Sequence, residues 1–379
     1  METQKNVSRL IEQRIAERIG QGKVILVFGP RQSGKTTLMH AVAEKSGMDP
    51  LWLSGDEPDI RGLLAEATST RLKSLLGGKR LVIIDEAQRI ANIGITLKLC
   101  ADTLPDIQII ATGSSAFELA GVTSEPLTGR KYEYHLYPLS FGELAAHHGM
   151  LEEKRLLEHR LVFGLYPEPA THPGKERDLL SLLAESYLYK DILALGIVKK
   201  PALLERMVQA LALQIGSEVS YQELGQLIGA DKETVERYID LLEKAYVLFR
   251  LPSFSRNLRN ELKKNRKVYF WDTGIRNAVI RNFNPLHLRQ DTGALWENFL
   301  VAERLKANHY AGRDANHWFW RTHAQQEIDY LEEQDGVLSA WEFKWRATRP
   351  PRIPNSFLTA YPGCRTGYVT AETVETFLL

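Results

Sequence analysis

The run Val24-Ile25-Leu26-Val27-Phe28-Gly29-Pro30-Arg31-Gln32-Ser33-Gly34-Lys35-Thr36 decides the fold. Its first five residues are uniformly apolar and β-prone, the pattern of a strand buried on both faces of a parallel sheet. The GxxxxGK(S/T) spacing that follows predicts a phosphate-binding turn at the start of a helix. Glycines let successive backbone N–H groups converge on phosphate oxygens, and the helix N-terminus adds its positive dipole end. Gly29, Pro30, Arg31, Gln32, Ser33, Gly34, Lys35, Thr36 and Thr37 are the expected nucleotide contacts. Lys35 supplies a point charge to the outer phosphates, and Thr36 a hydroxyl ligand for Mg²⁺.

Working outward, Leu81-Val82-Ile83-Ile84-Asp85-Glu86 repeats the buried-strand pattern and ends in two acids. That puts Asp85 at the carboxyl edge of the sheet, where open α/β folds bind ligands. Asp85 is expected to hold Mg²⁺ and Glu86 to polarise the attacking water. A third run, Ile107-Gln108-Ile109-Ile110-Ala111, leads into Thr112-Gly113-Ser114-Ser115, read either as a γ-phosphate sensor or as a polar turn and cap. Helical patterns separate these runs, and strands alternating with helices give an α/β doubly wound domain. Arg130 follows Gly129 and is a candidate for stabilising transition-state charge, in cis or across a subunit interface of a homo-oligomer, or else an ordinary surface arginine.

Residues 29–37, Asp85-Glu86-Ala87-Gln88, Thr112-Gly113-Ser114-Ser115, Gly129-Arg130 and Pro138-Leu139-Ser140-Phe141-Gly142-Glu143-Leu144 together resemble a group of prokaryotic AAA-type ATPases that carry a C-terminal domain of unknown function. Gly164-Leu165-Tyr166-Pro167-Glu168, Tyr189-Lys190-Asp191-Ile192 and Tyr269-Phe270-Trp271-Asp272-Thr273-Gly274-Ile275 resemble that group's later blocks, so the likeness spans nearly the whole chain. The resemblance implies ATP binding and hydrolysis.

At 379 residues the chain is long for a single core. The expected organisation is an ATPase domain over 1–140, a helical lid or linker over 141–205, a winged helix with a basic connector over 206–284, and an α/β domain over 285–379. Lys+Arg 48 against Asp+Glu 47 excludes a global basic field, so any nucleic-acid contact is local. Two distant cysteines give neither a disulfide scaffold nor a zinc site. The N-terminus has no apolar core of a secretory signal and no stretch is long and apolar enough for a membrane span, so the expected location is cytoplasmic.

In the last domain, Glu297 falls on a helical stretch, Asp329 on Glu327-Ile328-Asp329-Tyr330, and Glu342 and Lys344 on Trp341-Glu342-Phe343-Lys344. Strand residues two apart share a face, so Glu342 and Lys344 are expected to converge with Asp329. Glu297, Asp329 and Glu342 would then cage Mg²⁺ or Mn²⁺, with Lys344 placing the water or stabilising developing charge. The order of helix with Glu, strand, strand with Asp and strand with E-x-K is similar to the PD-(D/E)XK nuclease superfamily. A nuclease-like fold used only for docking is the competing reading.

Between Ser220 and Leu251 the pattern of helix, turn, helix and strand fits a winged helix-turn-helix. Its second helix, from Lys232, mixes signs, so packing within the chain and DNA readout both remain open. Arg256, Arg259, Lys263, Lys264, Arg266 and Lys267 form a basic stretch over 256–267, either a phosphate-contacting surface for DNA or RNA or a solvated connector. The leading expectation is an ATPase coupled to a metal-dependent nuclease-like domain acting on nucleic acid. The alternatives are a nucleotide-switched regulator or scaffold whose nuclease-like domain docks without cleaving, and a DNA-binding regulator.

Overall fold

The apolar runs become the strands of the first unit, which comprises Met1–Pro138 and Lys244–Tyr246. The computed structural model describes residues 6–114, 127–186, 198, 200–255, 266–322, 324–347 and 349–379. After helix α1 (Glu12–Ala16) come β1 (Val24–Phe28), α2 (Lys35–Ser46), β2 (Pro50–Ser54), α3 (Pro58–Ala65), α4 (Ser69–Leu76), β3 (Leu81–Asp85), α5 (Ile93–Thr103), β4 (Gln108–Gly113) and β5 (Lys131–His135). The five strands form one parallel sheet in the order β2-β3-β4-β1-β5. All residues of β1 and the first four of β3 are buried, which is why their sequences are apolar without alternation. Strands β1 and β3 flank β4, so the ends of all three open on the same edge of the sheet.

The second unit comprises Leu139–Glu243 and Val247–Leu379. It opens with short helices α6 (Phe141–His148), α7 (Met150–Arg155), α8 (Leu157–Phe163), α9 (Pro167–Thr171) and α10 (Glu176–Leu183). Helix α6 starts on a complete capping box between Ser140 and Glu143, a reciprocal satisfaction of otherwise orphaned N–H groups. Next come α11 (Pro201–Leu213), β6 (Glu218–Val219), α12 (Tyr221–Ile228), α13 (Lys232–Lys244), β7 (Leu248–Pro252) and β8 (Arg266–Phe270). Their strands make a three-stranded antiparallel sheet in the order β6-β8-β7. Gly229, in the left-handed region at φ 78°, ends α12, and Asp231 accepts the Thr234 N–H at 2.6 Å at the start of α13.

After α14 (Thr273–Val279), the 20-residue helix α15 (Thr292–Ala311) packs on β8 and on a second sheet. That sheet holds β9 (Asn316–Arg321), β10 (Glu327–Gln334), β11 (Val337–Phe343) and β12 (Arg365–Val369) in the order β12-β11-β10-β9. The first three form an antiparallel meander, and α16 (Asn355–Ala360) carries the chain to β12, which lies parallel to β11. A bulge interrupts the β9–β10 register between Ile328 and Leu331 and so spans Asp329 and Tyr330. Bulges re-aim side chains, and this one sits where the sequence placed a functional acid. The chain closes on α17 (Glu375–Leu378). No helix among the described residues is long and apolar enough to cross a membrane.

Candidate functional site

The phosphate loop is built by close backbone approach. A Cβ at Gly29 would lie 2.1 Å from the Leu136 carbonyl oxygen, so only glycine fits beside the chain leaving β5. Gly34 takes φ 91° immediately before α2, which turns the loop amides toward the helix N-terminus. Ser33 Oγ donates to the Pro30 carbonyl at 2.8 Å and closes the turn from within. From outside, the buried guanidinium of Arg9 donates to the carbonyls of Ser33 and Tyr137, each at 2.7 Å.

Lys35 is only 5% exposed, and its ammonium donates to the Gly29 and Pro30 carbonyls at 2.9 Å each. Burial lowers its pKa, and the Glu86 and Asp85 carboxylates oppose that shift without cancelling it. A cation solvated by carbonyls and short of counter-charge is suited to receive an anion. Thr36 Oγ1 donates to Asp85 Oδ2 at 2.8 Å, bringing the loop hydroxyl to the acid at the end of β3. Hydroxyl and carboxylate oxygens side by side are ligands that fit Mg²⁺. Thr112, at the end of β4, donates to the other Asp85 oxygen.

Glu86 follows on a left-handed backbone at φ 48°, with its N–H directed at Asp85 Oδ1 and Thr112 Oγ1. Its carboxylate accepts from Gln88 Nε2, which also reaches the buried Ser114 Oγ at 3.0 Å. Ser114 thus joins the end of β4 to the acid pair, while Ser115 lies outside the described residues. A cavity of about 330 Å³ opens over these groups, lined by Arg31, Gln32, Lys35, Thr36, Glu86 and Arg89 among others. Across its mouth Arg89 pairs with Asp56 at 2.9 Å. Sequence reasoning missed Arg9, Asp56 and Arg89. The first two come from distant segments, and Arg89 carries no motif beyond its position three residues after Glu86.

Arg130 is placed elsewhere. Its carbonyl accepts the Val24 N–H, so it sits at the start of β1, whereas the phosphate loop leaves the strand's other end. Five strand residues separate the two by about 16 Å. Its side chain pairs with Asp102 instead. Arg130 does not serve the phosphate loop of its own chain, and the expectation of an arginine acting in cis is corrected on that ground.

At the second site the structure brings acids together, but around a lysine. Lys267 on β8 is 1% exposed, and its Nζ lies 2.7 Å from Glu297 Oε1 and 2.5 Å from Glu327 Oε1. Tyr269, two residues along the same strand face, donates to the same Glu297 oxygen at 2.6 Å. Burial works to lower the Lys267 pKa, and the Glu297 and Glu327 carboxylates overcome it, holding the ammonium above its ordinary value.

Asp329 Oδ2 accepts the Phe343 N–H at 2.7 Å, which fixes this acid against β11 beside Glu342. Burial, with Glu342 nearby, pushes the Asp329 carboxyl up to about 6. Lys344 lies just past β11, half exposed, with Nζ 3.6 Å from Glu342 Oε2. Among the described residues no group of three or more His, Cys, Asp or Glu side chains is arranged to hold a metal ion. Glu297, Asp329 and Glu342 therefore do not fit the Mg²⁺ or Mn²⁺ cage expected of them. The physical reason is that Glu297 already faces Lys267 and Tyr269, while Asp329 is turned to the backbone of β11.

Lys267 also leaves the expected basic surface, because its side chain points into this cluster. Arg256, Arg259, Lys263 and Lys264 lie outside the described residues. Sequence reasoning missed Lys267 and Tyr269 as partners of Glu297. The signal was their i, i+2 spacing on a strand, which puts both on one face. Glu327 stands in the same relation to Asp329.

Residues 21–145 match a family model described as an AAA domain. Residues 154–286 and 292–377 match two models described as domains of unknown function (DUF8612 and DUF4143). An uncharacterized protein of Mycobacterium tuberculosis is 28% identical over 354 residues, covering 92% of this chain and 75% of that protein. An uncharacterized protein of Haemophilus influenzae is 25% identical over 283 residues, covering 67% and 68% respectively. Among solved structures, a Walker-type ATPase of Pyrococcus abyssi is 15% identical with a TM-score of 0.47, covering 72% of this chain and 96% of that one. With the family match and the phosphate-loop geometry in agreement, residues 21–145 form an AAA-type P-loop ATPase domain.

Proposed function

We propose that this chain is a Mg²⁺-dependent ATP hydrolase that works as a nucleotide-operated switch, its output carried by a winged-helix segment and a nuclease-like module that docks without cutting. The observation that carries the reading is the 2.8 Å hydrogen bond from Thr36 to Asp85, which joins the phosphate loop to the acid of β3 beneath an open cavity. In this reading Lys35 exchanges its two carbonyl partners for phosphate oxygens and recovers the counter-charge it lacks. Thr36 and Asp85 would hold Mg²⁺, which would supply neutralising charge to the phosphates. Glu86 orients the attacking water, and Gln88, bridging Glu86 to Ser114, holds that carboxylate in place.

The order of α11, β6, α12, α13, β7 and β8 supports the winged-helix reading. Helix α13 exposes Lys232, Glu233, Glu236 and Arg237, a surface of balanced sign that favours a protein contact over a phosphate backbone. Helix α15, the three-stranded meander, α16 and parallel β12 support the nuclease-like reading of the last module. Among the described residues its acids form no group arranged to hold a metal ion, which favours docking over cleavage.

The test is ATP binding and turnover in wild type, Lys35→Ala and Glu86→Gln. Wild type hydrolyses ATP, Lys35→Ala loses binding, and Glu86→Gln binds ATP while turnover falls about 100-fold or more. An Lys35→Ala variant that binds and hydrolyses like wild type sinks the proposal. Sizing chromatography of Glu86→Gln with and without ATP then reads the switch, which predicts a nucleotide-dependent change of assembly.

A further inference from the structure

The C-terminal carboxylates pose a question of charge. Glu297 on α15, Glu327 and Asp329 on β10, and Glu342 on β11 bring four acids into one region, and such a set needs a cation. The structure already supplies one. Lys267 Nζ lies within hydrogen-bond distance of both Glu297 and Glu327, and Tyr269 completes the shell on Glu297. The ammonium is almost wholly buried and lies 5.3 Å from the centre of the Phe319 ring, whose face adds a favourable contact. It is tethered by β8, which is paired on both sides by β6 and β7, so it cannot swing away without breaking that sheet. Lys344, by contrast, is half exposed and touches Glu342 from outside.

We propose that Lys267 is the resident cation of this carboxylate set, occupying the position a divalent ion would need and excluding it. Mg²⁺ requires oxygen ligands converging at about 2.0–2.1 Å in near-octahedral geometry. An ammonium bridging two of the available carboxylates denies it both the ligands and the position, and repels it. The consequence is a module with a nuclease-like order of elements and no metal-activated water, whose acids serve to fix β8 against α15 and β10.

Mn²⁺ uptake by the full, nucleotide-free chain tests this, read as loss of the paramagnetic resonance signal of free aqueous Mn²⁺. No nucleotide enters the experiment, so its outcome is separate from that of the ATPase reading. Wild type is expected to show no uptake that Asp329→Asn removes. Lys267→Met is expected to take up Mn²⁺ at least about tenfold more tightly, and adding Asp329→Asn to that variant to abolish the gain. Wild-type uptake that is lost in Asp329→Asn but kept in Thr36→Ala overturns the proposal. So does a Lys267→Met chain with native circular dichroism that takes up no more Mn²⁺ than wild type. If Lys267→Met does not fold, the comparison of wild type with Asp329→Asn decides alone.

Discussion

Of the lysines buried beside acids among the described residues, Lys35 and Lys267 are used in opposite ways, while Lys306 pairs with Glu303 on its own helix. Lys35 is surrounded by backbone carbonyls, with Asp85 and Glu86 near enough to influence it but not bonded to it, and its pKa is lowered. Lys267 is bonded to two carboxylates, and its pKa is raised. Desolvation penalises both; what differs is whether the counter-charge is already in place. A buried ammonium without a bonded carboxylate is a receptor for an anion, whereas one with two is part of the scaffold. The contrast explains why a cavity opens over Lys35, while Lys267 is sealed among β8, α15 and β10.

Replacing each lysine by methionine gives the largest expected effect. Lys267→Met leaves Glu297 without its bonded cation and Glu327 with Arg321 Nε at 3.9 Å, and is expected to cost about 3–5 kcal/mol of folding stability. Lys35→Met removes a desolvated charge whose bonded partners among the described residues are two carbonyls, and is expected to change stability by less than about 1 kcal/mol while abolishing ATP binding. Urea unfolding of the two variants beside wild type measures both. Equal losses would mean that Lys35 is as much a part of the scaffold as Lys267, and the contrast would fail.

The difference between the two lysines also marks what was legible in the sequence. Lys35 sits in a contiguous motif between a strand and a helix, so its role follows from local spacing and survives folding. Lys267 stood in a run of basic residues, and a run says nothing about which way a side chain points. Only its alternation with Tyr269 on β8 carried that information, and the acids it meets are 30 and 60 residues away. Arg130 failed for the same kind of reason. Its position after Gly129 was visible, but which end of the parallel sheet β5 begins on depends on its pairing with β1. The strand order, with β1 between β4 and β5, was likewise set by tertiary packing rather than by any one segment.

A smaller effect is expected at Asp329, where the sign can be worked out from its pKa. The folded carboxyl sits at about 6, against an unfolded value of about 3.9. The folded state therefore holds this proton more tightly, and its contribution is fully present below about pH 4 and lost as pH rises through about 6. An uncharged Asn keeps an oxygen for the Phe343 N–H and removes the penalty. Asp329→Asn is expected to match wild type near pH 4 and to exceed it by roughly 1–2 kcal/mol near pH 7 in metal-free buffer. Urea midpoints at the two pH values check this. A variant less stable than wild type near neutrality would mean that the charged carboxylate is held by a cation, as a metal centre requires.

The smallest effect separates the lysine that the E-x-K pattern points to from the one that bears the charge. Lys344 is half exposed and lies 3.6 Å from Glu342, an ion pair largely in contact with water. Exposed pairs of that kind are worth about 0–1 kcal/mol, because solvent and salt screen them. Lys344→Ala is therefore expected to shift the urea midpoint by no more than such an amount, and the shift should shrink further in high salt. The loss in Lys267→Met should persist in the same salt, since ions do not reach a side chain that is 1% exposed. If Lys344→Ala instead proved as costly as Lys267→Met, the charge balance of the C-terminal acids would rest on the strand edge, and the buried lysine would lose its distinct role.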